Sequence, residues 1–122
     1  MKILITGASR GIGRAIALAA AKTGRFHHMH LTCRKSLDKL AELREEILGI
    51  DSELMVSIGQ GDLQSVDDAN IIAKEMGPVD VIINNAAVSY TGPLIDMTED
   101  MWNDTISTNI SSIFYIFQTC SL

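Results

Sequence analysis

The glycines of the run Thr6-Gly7-Ala8-Ser9-Arg10-Gly11-Ile12-Gly13 are the residues of this chain best suited to holding an anion. Glycine lets a backbone turn tightly and come close to a ligand. Free N–H groups and the dipole at the start of a helix then favour negative charge at that point. The run lies directly after the apolar Ile3-Leu4-Ile5 and before Ala15-Ile16-Ala17-Leu18-Ala19-Ala20, so it reads as a strand, a turn and a helix start. A turn of that kind seats the pyrophosphate of a dinucleotide.

Charge near this turn bears on which dinucleotide. An acid about twenty residues beyond such a turn hydrogen-bonds a ribose 2′-hydroxyl and repels a 2′-phosphate. None stands in Thr32-Cys33-Arg34. Arg34 and the turn residue Arg10 instead form a pair of guanidinium groups suited to clamping a phosphate, which predicts NADP(H) in preference to NAD(H). The alternative is that Arg34 and Lys35 are solvated charges at the start of a helix.

Other polar residues have two readings each. Asp62 follows Gly59-Gln60-Gly61 and suits either a ligand contact or a turn carboxylate. Asn84 and Asn85, at the end of an apolar segment, suit a ligand or the bracing of a turn. Asn109 lies within an apolar helix, where a buried amide needs partners. His27, His28 and His30 crowd one segment, but strand alternation puts His28 and His30 on one face and His27 on the other, so no metal site is expected.

These residues require alternating elements to position them. Lys2 to Thr6, Met29 to Cys33, a segment built on Leu54, Val56 and Ile58, and Val79 to Ile83 read as strands, the last covered on both faces. A turn is expected at Gly59 to Asp62. Helices are expected from Gly11 to Lys22, from a Ser36 cap to Gly49, from a Ser65 cap to Met76, and from a Thr98 cap to about Thr119. Trp102, Ile106, Ile113, Phe114 and Phe117 form an apolar stripe that would pack on the sheet or on a partner subunit. This pattern predicts an α/β fold, a Rossmann-type doubly wound parallel sheet of four strands in the order 3-2-1-4 with flanking helices. Ligands bind such sheets at the carboxyl ends of the strands.

Length and composition fit one domain over residues 1–122. The chain is 47% hydrophobic with a formal net charge of −5, which argues against a nucleic-acid partner. Its two cysteines, Cys33 and Cys120, are too few for a disulfide framework and suit a reducing, cytoplasmic compartment. Polar residues interrupt the first apolar stretch too early for a leader, and no later run would span a membrane.

Taken together, Thr6-Gly7-x-x-x-Gly11-x-Gly13, Asp62-Leu63, Asn84-Asn85-Ala86 and Asn109 resemble the short-chain dehydrogenase/reductase family in order and spacing. Gly24 to Arg34 is longer than this family usually shows, as in some sepiapterin-reductase-like members. The resemblance implies that Gly7, Ala8, Ser9, Arg10, Gly11, Ile12 and Gly13 bind the pyrophosphate, that Asp62 and Leu63 contact the adenine, and that Asn85, Ala86 and Ala87 line the nicotinamide-side ribose. It further implies that Asn109 is the asparagine of the catalytic tetrad, helping to hold a water in a proton relay.

The family's hydride chemistry also uses a serine and a Tyr-x-x-x-Lys pair. Here Tyr90 is followed four residues later by Leu94, and Tyr115 by Thr119. The expectation is an NADP(H)-binding half, ending before the catalytic Ser, Tyr and Lys, of an enzyme acting on a carbonyl or alcohol substrate. The alternative is a catalytically inactive module that binds nucleotide or associates with a subunit. The Val79 to Ile83 strand would lack a neighbour, which predicts a homo-oligomer or a complementing chain.

Overall fold

The computed structural model describes residues 1–121. Four strands, β1 (Lys2–Ile5), β2 (His28–Cys33), β3 (Met55–Gln60) and β4 (Val81–Ile83), form one parallel sheet in the order β3-β2-β1-β4. Helices α1 (Gly11–Lys22), α2 (Leu37–Ile50) and α3 (Val66–Met76) connect them, giving the Rossmann-type fold. After β4 come a short 3-10 turn (Leu94–Asp96), α4 (Glu99–Ile106), a π-helical segment (Ser107–Ser111) and α5 (Ser112–Cys120).

Strand alternation divides the core between the two faces of the sheet. Ile3, Ile5, Met29, Leu31 and Cys33 point to one face and pack with Ala17 of α1 and Leu40, Leu43 and Ile47 of α2. Leu4 points to the other and meets Ala69, Ile72 and Ala73 of α3 and Ile116 and Cys120 of α5. Helix ends follow local chemistry. Ser65 and Thr98 accept from the backbone N–H groups of Asp68 and Met101, each at 3.2 Å, whereas Ser36 caps α2 through its carbonyl and not its hydroxyl. Gly77 ends α3 with φ +68°.

Three local expectations are corrected. β3 runs on through Gly59 and Gln60, which pair with Thr32 and Cys33, so the ladder with β2 overrides the turn propensity of the glycine. β4 begins at Val81, because the N–H of Val79 is taken by the Cys120 carbonyl, and its residues are half-buried at a sheet edge, not covered on both faces. Of the two placements expected for the apolar stripe, the sheet is overturned and a partner subunit is not tested, because Trp102, Ile113, Phe114 and Phe117 are exposed in the single chain. Ser112, Ile116 and Cys120 are the residues of α5 that turn inward.

His28 and His30 share the face of β2 opposite Met29 and Leu31, as alternation predicts. His30 is 2% exposed, and burial, reinforced by the neighbouring His28, pushes its pKa down to about 4 from 6.5. Glu75 lies 3.6 Å from its Nε2, beyond hydrogen-bonding range, and is half-exposed, so it does not offset the burial. Because the folded pKa is lowered, the unfolded chain binds more protons between pH 6.5 and 4, and stability falls as pH falls through that window. The expected loss is about 3 kcal/mol. Urea unfolding at pH 7 and pH 4.5 measures it, and His30→Gln should make the dependence shallower.

Candidate functional site

A cleft of about 710 Å³ opens at the carboxyl ends of the strands. Its walls include Gly7, Ser9, Arg10, Gly11, Ile12, Arg34, Asp62, Leu63, Asn85, Ala86 and Ala87. The fold thus brings together, in one concavity, residues that the sequence places on four separate turns.

The glycines have different physical reasons. Gly7 has φ +65°, and a Cβ there would sit 2.9 Å from the Ala86 Cα. Gly11 has φ +56° with open space above it, so its backbone is free to meet a ligand. Gly13 lies beneath the turn, and a Cβ would run into the Gly7 carbonyl and the Asn85 amide. Arg10 occupies the N-cap of α1 without a side-chain capping bond, which leaves first-turn N–H groups of that helix available to an anion.

Asn85 holds this turn from the neighbouring strand. Its Nδ2 donates to the carbonyls of Thr6 at 3.1 Å and Gly7 at 2.9 Å. The Thr6 hydroxyl oxygen in turn accepts the N–H groups of Asn85 at 3.2 Å and Ala86 at 3.1 Å. Asn85 therefore braces the turn, while its outer surface still borders the cleft.

Ala8 is fully buried and Gly13 is buried, so both support the turn from below and neither borders the cleft. The Arg34 Nε lies 3.4 Å from Asp62 Oδ2, both side chains being partly exposed. Oδ1 of Asp62 accepts from the N–H of Gln64 at 3.0 Å, so this carboxylate also serves as a turn brace.

Asn109 sits inside the π segment, outside the cleft lining. Its Oδ1 accepts from the Val88 N–H and its Nδ2 donates to the Val88 carbonyl, each at 2.9 Å. The amide is committed to positioning the strand-to-helix loop, whose residue Val88 borders the cleft. Tyr90, at the rim, donates to Asp104 at 2.7 Å, and that bond pushes its pKa up.

Some cleft residues were not anticipated. Val88, Ser89 and Tyr90 follow Ala87 around the rim, and Thr32, Cys33 and Gly61 border its far side. Burial pushes the Cys33 thiol pKa up, which keeps it neutral and unreactive. Thr108 is 5% exposed, and its hydroxyl oxygen has no hydrogen-bond partner among the described residues. No local signal distinguishes it, because its position depends on the π segment.

With this geometry in place, the family model for short chain dehydrogenase matches residues 1–121. The chain belongs to the short-chain dehydrogenase family. It is 36% identical over 118 residues to a 3-oxoacyl-[acyl-carrier-protein] reductase FabG of Staphylococcus epidermidis, covering 94% of this chain and 47% of that protein. Gluconate 5-dehydrogenase of Gluconobacter oxydans is 32% identical, covering 96% and 45%. Among solved structures, a metagenomic short-chain oxidoreductase in complex with NADP superposes with a TM-score of 0.85 at 30% identity, covering 98% of this chain and 54% of that one. The chain spans about half the length of the curated short-chain dehydrogenase relatives it matches. No helix among the described residues is long and apolar enough to cross a membrane.

Two substitutions test how the turn is held. Asn85→Ala leaves the Thr6 and Gly7 carbonyls short of a donor and is expected to cost about 1–3 kcal/mol. Gly13→Ala forces a methyl into the same contact and is expected to cost a similar ~1–3 kcal/mol. Chemical unfolding measures both, and an unchanged midpoint in Asn85→Ala would contradict the bracing role.

Proposed function

We propose that the cleft binds NADP(H) in preference to NAD(H), and that residues 1–122 supply the cofactor-binding part of an oxidoreductase moving a hydride between nicotinamide and a carbonyl or alcohol substrate. The observation that carries the choice of cofactor is the cationic end of β2. Arg34 stands there beside the cleft, Arg10 stands at the start of α1, and no carboxylate occupies residues 32–34. A nicotinamide dinucleotide supplies the hydride when bound. The chain's own contribution is to bind and orient it.

In this reading Gly7, Ser9, Arg10, Gly11 and Ile12 receive the pyrophosphate at the N-terminus of α1, with Ala8 and Gly13 shaping the turn. Asp62 and Leu63 border the adenine end, and Asn85, Ala86 and Ala87 border the nicotinamide-side ribose. The buried, unpartnered Thr108 hydroxyl supports occupation by a polar ligand, since an orphaned buried oxygen is costly unless something bonds it. Asn109 acts as a positioning residue through Val88. Solved relatives bound to NADP or NADPH also support the assignment.

Binding measurements test the assignment. NADPH is expected to bind more tightly than NADH, and Arg34→Ala should remove a charge-assisted contact worth about 1.5–3 kcal/mol, a ~10- to 150-fold loss for NADPH. NADH affinity should hardly change. Equal affinities in the unaltered chain, or a parallel loss of both ligands in Arg34→Ala, would overturn the clamp.

The exposed side of β4 supports a second expectation. Among the described residues it pairs only with β1, and Phe114 and Phe117 stand exposed on α5. Uncovered strand edges of this kind promote pairing. We expect the 122-residue chain to form a homo-oligomer or to take up a complementing polypeptide, and a stable monodisperse monomer in light scattering would contradict this.

A further inference from the structure

We propose that the ring of Tyr90 is the wall on which the adenine of the bound dinucleotide stacks, held in place by the bond of its hydroxyl to Asp104. The inference rests on the reading of the cleft as a dinucleotide site, and adds to it a residue that grips the base.

Tyr90 borders both the cleft and a smaller hollow of about 240 Å³ formed with Pro93, Met97 and Met101, so its side chain is a partition between two spaces. Two sets of bonds fix that partition from one helical stretch. Asn109 pairs with both backbone groups of Val88, two residues before Tyr90, and Asp104 accepts from the Tyr90 hydroxyl at 2.7 Å. A ring anchored in this way has less freedom to lose when a ligand arrives, which favours binding. The hollow behind it leaves room for the ring to tilt against a flat partner.

Neighbouring residues place the ring at the adenine end. Leu63 packs with Ile116 and Cys120 of α5. Ser112 and Thr108 continue that buried series at four-residue spacing, and Thr108 borders the cleft as Leu63 does. Asp104 comes one such step earlier, so the series leads from Leu63 to the Tyr90 hydroxyl. Arg34 also lies near enough to Tyr90 to favour its ionised form, although the bond to Asp104 outweighs this and keeps the phenol protonated. The ring therefore shares the end of the cleft that holds Leu63 and Arg34, where the adenine and the ribose 2′-phosphate are assigned.

The chemistry of this end suits a base. Leu63 and Val88 are apolar and Tyr90 is aromatic, whereas a purine presents flat faces and polar edges. Stacking on an aromatic side chain holds a base without reading its sequence of donors and acceptors. Thr108, whose hydroxyl has no hydrogen-bond partner among the described residues, borders the same end. A phenol that already donates its one proton to a carboxylate is not free to act as an acid, which leaves the ring as the working part.

Binding of adenosine 2′,5′-bisphosphate to the chain, followed by calorimetry and by proton NMR of the ligand, tests the wall. The expected result is binding with upfield shifts of the two adenine ring protons, the mark of an aromatic ring stacked on the base. Tyr90→Ala should weaken binding at least about fivefold and remove the shifts. Tyr90→Phe keeps the ring and loses the Asp104 bond, so it should retain the shifts and lose less affinity than Tyr90→Ala. Absence of binding to the unaltered chain would overturn the assignment of the cleft and the wall with it. Binding without upfield shifts, unchanged affinity in Tyr90→Ala, or an equal loss in Tyr90→Phe and Tyr90→Ala would overturn the wall alone. Circular dichroism checks that Tyr90→Ala is folded, and if it is not, the shifts in the unaltered chain and in Tyr90→Phe decide.

Discussion

The polar stitch between Thr6 and Asn85 is the interaction on which the cleft depends. It joins residues 79 positions apart in sequence, at the carboxyl ends of β1 and β4. Thr6 is almost fully buried and sits where the backbone leaves the ladder, so its carbonyl and that of Gly7 would otherwise lack partners. The Asn85 amide supplies both bonds. Packing makes the arrangement exacting, because the same amide fills the space that a Cβ at Gly7 or Gly13 would require. Glycine and asparagine thus form one interlocked unit.

A second clasp fixes the opposite wall. The Asn109 amide pairs with both backbone groups of Val88, replacing the partners that a strand neighbour would have provided. Such a pair requires the amide to face the loop squarely, and the wider π turn around Asn109 changes the helix phase locally to let it do so. Hydroxyls nearby are absorbed by the helix itself, with Ser112 bonding the Thr108 carbonyl and Thr105 that of Met101. Thr108 has no such outlet, so its oxygen is left at the cleft. The irregular turn has two consequences at once: it frees one amide to brace a loop and strands one hydroxyl beside the candidate ligand.

These clasps mark how far the sequence could be read. Element order, strand order and the α1 boundaries follow from apolar periodicity and from glycine positions, because each rests on local backbone demands. Ser65 and Thr98 were legible as caps for the same reason. Ser36 looks equivalent but caps through its carbonyl, a distinction in backbone angle that residue type does not encode. Legibility ends where an outcome depends on which remote group arrives opposite. Asp62 has a turn to brace and Arg34 to pair with, and nothing near either in sequence specifies their meeting. The apolar stripe on the last helices differs, since its periodicity is real but periodicity does not say which surface will cover it, and in the single chain Trp102, Phe114 and Phe117 are exposed.

The Arg34–Asp62 pair bears on whether the cleft can discriminate by charge. The chain as a whole is anionic, at −5, which taken alone would repel a phosphate. Screening limits that repulsion to about 8 Å at physiological salt, so the groups lining the cleft outweigh the distant carboxylates. Within that radius Arg34 is already paired. An exposed pair of this type contributes only about 0–1 kcal/mol, however, whereas a charge-assisted hydrogen bond from a guanidinium to a phosphate is worth about 1.5–3 kcal/mol. A phosphate arriving at the end of β2 can therefore compete with Asp62 for Arg34, since the exposed pair it would replace is weak. A 2′-hydroxyl, carrying no charge, has less to offer in that exchange. The ion pair is consequently compatible with the proposed preference for NADP(H), and it gives Arg34 a defined resting position beside the cleft.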